Sequence, residues 1–97
     1  MIKKNDNKAT LIIVIKKEWF DEIASGKKKI EYREIKPFWE SRLYDAAGKK
    51  RLYDKIEFIN GYNVDAKRII TKYEGFERKG KYFNIKVGKI LKKPHRK

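Results

Sequence analysis

Ninety-seven residues with a formal charge of +14 amount to one domain, near the lower end of sizes that fold unaided. The chain has no cysteine and a single histidine, His95, which excludes a disulfide framework and a thiolate zinc site and leaves no basis for a histidine metal centre or triad. No metal or cofactor is therefore expected, and with no apolar run of membrane-spanning length and no signal-peptide pattern the expected home is the cytoplasm.

Residues 1–8 are polar and aperiodic and read as a flexible N-terminal arm. Thr10 to Ile15 is a β-branched apolar run, too short for a core helix and expected as a strand buried on both faces. A helix is predicted from Lys17 to Ser25, with Trp19, Phe20, Ile23 and Ala24 as its apolar stripe and Glu18, Asp21 and Glu22 opposite. Its spacing puts Trp19 with the core residues, and Gly26 suits the C-cap. A second strand runs from Lys28 to Glu34. Pro37 then opens a second helix, in which Trp39, Leu43 and Ala46 or Ala47 recur at helical spacing before Gly48.

Lys49-Lys50-Arg51 is a basic loop. Tyr53 to Asn60 alternates as a strand, with Ile56 and Phe58 on one face, and Asn60-Gly61-Tyr62-Asn63 is a turn signal. Lys67 to Glu74 is the next strand, Lys79-Gly80 a reversal, and Tyr82 to Leu91 the last strand. That strand carries Phe83, Ile85 and Val87 inward and has a bulge expected at Gly88. Residues 92–97 are expected as a basic tail, with Pro94 stopping the strand. The domain proper is thus 9–91, an α+β and mainly β fold. Five or more short strands with two short helices suit a closed or half-closed barrel, and periodicity alone admits an open sheet equally.

The stretch that carries chemistry is Gly26-Lys27-Lys28-Lys29-Ile30-Glu31-Tyr32-Arg33. In extended chain Glu31 and Arg33 share a face, and Lys28 sits at the loop-to-strand joint. A carboxylate between two cations is a plausible polar site. Equally, such residues serve as solvated charge beside a helix C-terminus.

Gly26, Lys28, Glu31 and Arg33 match the pattern G-x-K-x-x-E-x-R, and by it the chain resembles the ASCH (activating signal cointegrator homology) domains of the PUA-like superfamily. The preceding strand and helix, Lys36-Pro37-Phe38-Trp39 with Arg42-Leu43, Phe58 to Tyr62, and Tyr82 to Ile90 extend the resemblance over roughly residues 10 to 91, as in a small stand-alone branch. It implies a PUA-like small β-barrel of about five to six strands, with one helix over an opening beside the motif strand. It also implies a cleft lined by that strand that takes RNA, other single-stranded nucleic acid or a modified nucleoside.

The charge agrees with such a partner. Lys and Arg number 27 against 13 Asp and Glu, and with +2 in residues 1–8 and +4 in 92–97 the body still holds +8. Nucleic-acid binding by Lys28, Glu31, Arg33, Lys36, Trp39 and Arg42 is the leading expectation. In it Lys28 and Arg33 meet phosphate or a base carbonyl, and Glu31 accepts from an exocyclic amine or orients Arg33. Phe38, Tyr32 and Tyr62 are further stacking candidates, although each also suits the core.

The alternative is a small hydrolase, resembling the branch that deacylates N4-acetylcytidine or acting as a ribonuclease, with Lys28 and Glu31 as acid–base candidates. That branch has a threonine where this chain has Glu31, and Thr71 lies on another strand. The expected nucleophile is therefore missing. A third reading is a protein-interaction module, with the charge serving solubility.

Overall fold

The computed structural model describes residues 9–96, so the expected N-terminal arm and Lys97 lie outside the described residues. Five strands and two helices follow in the order β1 (Thr10–Ile15), α1 (Lys17–Ala24), β2 (Ile30–Glu34), α2 (Pro37–Leu43), β3 (Lys55–Asn60), β4 (Lys67–Lys79) and β5 (Tyr82–Arg96). The strands form one sheet in the order β1-β3-β4-β5-β2. β1 and β3 are parallel, and every other neighbouring pair is antiparallel. A parallel pair needs a crossover, and α1, β2 and α2 supply it. The sheet curls into a half-barrel whose two edges are β1 and β2.

The curl comes from irregular pairing along the long β4–β5 ribbon, where the register shifts between Arg68 and Phe76. Each extra residue bends its strand and increases the local twist. One of these bulges falls at Gly88, as the sequence suggests, since Tyr73 pairs with Val87 and Thr71 with Ile90. A Cβ at Gly88 would lie 2.9 Å from the Lys72 carbonyl oxygen, so a glycine is needed for the two backbones to close here. Gly75, on the opposite strand, takes φ +92° and lets β4 bulge and continue to Lys79 rather than end near Glu74.

β5 also outruns its expected end. Pro94 does not stop it, because the proline falls in a bulge where two residues of β5, Lys93 and Pro94, face one of β4, Ile69, and a bulge needs no donor there.

The core is the concave side of this sheet: Leu11, Ile13 and Ile15 of β1, Ile56 and Phe58 of β3, and Phe83, Ile85 and Val87 of β5 are buried, closed over by Phe20, Ile23 and Leu43 from the helices. Phe76 and Phe83 meet edge to face at 5.4 Å, and Tyr44 packs on both. β1 is not buried on both faces: Ile12 is 52% exposed, because β1 is an edge strand whose outer face carries no second layer. Apolar composition alone does not distinguish the two situations.

The second helix is shorter than its spacing predicts. It ends at Leu43, and Tyr44 is already extended, bridging to Lys50. The Asp45 carboxylate accepts from the backbone N–H of Ala47 and of Lys49, which gives the chain a turn in place of another helical one. Ala46 and Ala47 are accordingly exposed loop residues.

Candidate functional site

Helix α1 ends where the site begins. Gly26, at φ +85°, lets its own N–H reach the Ile23 carbonyl while Lys27 N–H bonds that of Glu22. This stop turns the chain so that Lys28 N–H also reaches Glu22 and β2 can start at Ile30. In β2 the usual alternation is inverted. Glu31 is buried with 6% exposure, whereas Tyr32 points outward and is 54% exposed. A buried carboxylate is the informative departure, because it needs partners.

It has two. Arg33 Nε donates to Glu31 Oε2 at 2.7 Å, and Lys28 Nζ lies 3.4 Å from Oε1. Arg33 reaches further, its Nη2 donating to the Val14 carbonyl at 3.1 Å. Its side chain thereby spans the gap between the two edges of the sheet, β2 and β1. Two cations on one carboxylate leave a net positive charge, and Arg33 Nη1 has no protein hydrogen-bond partner among the described residues. Aromatic faces complete the surroundings: Trp39 lies 5.0 Å from the Arg33 guanidinium, and Trp19 and Tyr32 lie 5.3 and 5.5 Å from Lys28 Nζ.

A cleft of about 760 Å³ opens beside this group. The end of β1 with Lys16 and Lys17 forms one wall, and β2 from Glu31 to Glu34 with Tyr82 forms the other. Trp19, Trp39 and Lys36 come from the helices and their caps, and Asn60, Gly61 and Tyr62 from the loop after β3.

Of the residues expected at the site, Glu31, Arg33, Lys36 and Trp39 line the cleft, and Lys28 stands behind Glu31. Lys36 is a rim residue, 3.1 Å from Glu34. Arg42 is not brought into the cleft. It stacks 3.5 Å from the Phe38 ring and donates to the Phe38 carbonyl. Nor does the basic loop line it: Arg51 donates to the carbonyls of Ser41 and Tyr44, and Lys50 to that of Phe76.

Trp19 is a correction. It is 42% exposed on the cleft wall, and only Phe20 and Ile23 of its stripe are fully buried. Asn60 and Tyr82 line the cleft without having been expected. Tyr82 arrives through antiparallel pairing with Glu34, a non-local register that no short motif encodes. The Asn60-Gly61-Tyr62 turn signal was visible, and what was lacking was its location.

The threonine relevant to hydrolysis stands apart from the cleft. Thr71 is fully buried in β4 and donates only to the Lys72 carbonyl. No group of three or more His, Asp or Glu among the described residues is arranged to hold a metal ion. No helix among them is long and apolar enough to cross a membrane. No family model, curated protein or solved structure matches this chain.

Proposed function

We propose that this chain is a PUA-like domain of the ASCH type whose cleft binds single-stranded RNA. The observation that carries the reading is the convergence of Lys28, Glu31 and Arg33 at one wall of a cleft that Trp19, Trp39, Tyr32 and Tyr62 also line or flank. Such a site offers what an unpaired nucleotide requires: ring faces for stacking, guanidinium donors for phosphate or a base carbonyl, and positive charge to hold the backbone. Glu31 acts chiefly as the anchor that fixes the direction of Arg33, since both of its oxygens already face cations. This engagement, together with the burial of Thr71 away from the cleft, favours binding over hydrolysis.

The test is retention of a mixed single-stranded RNA pool across a salt series, with N4-acetylcytidine offered in parallel. Binding should fall with a log–log slope of about −0.7 per phosphate neutralised, and no rapid deacylation should occur. A flat salt response would remove the polyanion reading, and fast turnover would replace it with the hydrolase one.

A further inference from the structure

Two chains of stacked groups lead out of the cleft to the surface. On the α2 side, Arg33 faces Trp39 at 5.0 Å, Trp39 meets Phe38 at 5.2 Å and 74°, and Arg42 lies 3.5 Å over Phe38. On the β2 side, Lys28 faces Tyr32 at 5.5 Å, and Tyr32 meets Tyr82 edge to face at 6.5 Å. Each chain begins on a cation that touches Glu31 and ends on rings in solvent: Phe38 and Tyr32 are each 54% exposed and Tyr82 is 44% exposed. None of these three rings belongs to the core or packs on it as a partly buried neighbour.

The cleft has the volume of a small-ligand site, and one nucleotide fits within it. Rings left exposed on both sides of a one-nucleotide site suit the neighbours of that nucleotide, because any base can stack on them. The charge around the outer rings also suits phosphate. The Arg42 guanidinium makes one hydrogen bond, to the Phe38 carbonyl, and the nearby acids Glu34 and Glu40 are already paired with Lys36 and Arg78.

Resting on the cleft reading above, we infer that the site holds an internal nucleotide of a single RNA strand. One flanking nucleotide lies outside it on the Phe38–Arg42 stack, and the other lies at its rim on Tyr32 and Tyr82. The ligand is thus a strand and not a free nucleoside.

The test is fluorescence anisotropy of a labelled RNA hexamer of mixed sequence, competed by an unlabelled trimer and by mixed nucleoside monophosphates. The trimer should compete far better than the monophosphates, by about thirty-fold or more. Phe38→Ala, outside the cleft, should weaken hexamer binding about ten-fold while leaving monophosphate competition unchanged, and Tyr82→Ala, on the cleft wall, should weaken the hexamer more than the monophosphates. Trp39→Ala should weaken hexamer and monophosphates alike. Monophosphates that compete as well as the trimer would overturn the strand inference while leaving the cleft reading standing. So would hexamer affinities unchanged in both outer variants. If Trp39→Ala and Arg33→Ala bind the hexamer as wild type does, the cleft reading fails and the strand inference fails with it. The length dependence is read on the wild type, so it decides the matter even if a variant folds poorly.

Discussion

Among the described residues, two carboxylate–guanidinium pairs have the same length, Glu31–Arg33 and Glu57–Arg68, each at 2.7 Å and each partly buried. They do different things. Glu57 and Arg68 sit on neighbouring strands on the outer face of the sheet, where the pair neutralises itself and Arg68 Nε has no partner among the described residues. Glu31 and Arg33 sit on one strand, with Lys28 as a third member, Val14 as a second acceptor for the guanidinium, and the cleft alongside. Distance therefore says little about role. What separates the two is the surplus charge: one group is neutral, and the other carries an extra cation at a cleft wall.

Removing the acid should separate them most clearly. Glu31→Ala leaves two cations facing each other with no counter-charge, and Glu31 is nearly inaccessible. A loss of about 3 kcal/mol or more is expected, read by urea unfolding. Glu57→Ala strands only one guanidinium, which is 16% exposed, and should cost about 1.5 kcal/mol. Equal losses would mean that Lys28 adds nothing to the first group.

That difference between the pairs was only half legible in the sequence. The GxKxxExR spacing put Glu31 and Arg33 on one face, and the glycine stop after α1 was readable from Gly26. Local patterning also placed Ile56 and Phe58, and Phe83, Ile85 and Val87, on buried faces, as found. The convergence of β2 on β1 was not readable, because it depends on the curl that the β4–β5 bulges produce. Trp19 shows the same limit. It shares a helical stripe with Phe20 and Ile23, and only the position of α1 at the sheet edge leaves its ring exposed in the cleft. Arg42 failed as a cleft residue for a local reason, since Phe38 one turn earlier offers its ring.

A third buried polar group extends the comparison to one with no hydrogen-bond partner among the described residues. The Tyr73 hydroxyl is buried and unbonded, its ring 5.3 Å from that of Tyr53. Burial, and secondarily the neighbouring Tyr53 phenol, push its pKa from 10.0 up to about 12. Burial raises Tyr53 as well, against the opposing pull of Arg51 and Arg42. Because the folded state holds the Tyr73 proton more tightly than the unfolded chain does, this contribution is complete below pH 10 and is lost as pH rises towards 12. Tyr73→Phe should flatten that decline. At neutral pH it should be neutral or stabilising by up to about 1 kcal/mol, since it removes an unmet donor. A clear destabilisation at neutral pH would reveal a hydrogen bond that the hydroxyl does make.

The most direct test of the central claim sets the two arginines against each other as binders. Arg33→Gln and Arg68→Gln each remove one positive charge, so any binding driven by net charge alone must fall equally in both. Affinity for a single-stranded RNA hexamer, measured at one fixed salt concentration on folded protein, should drop about ten-fold or more for Arg33→Gln and less than about two-fold for Arg68→Gln. Equal losses in the two variants would contradict the assignment of the cleft as the RNA site.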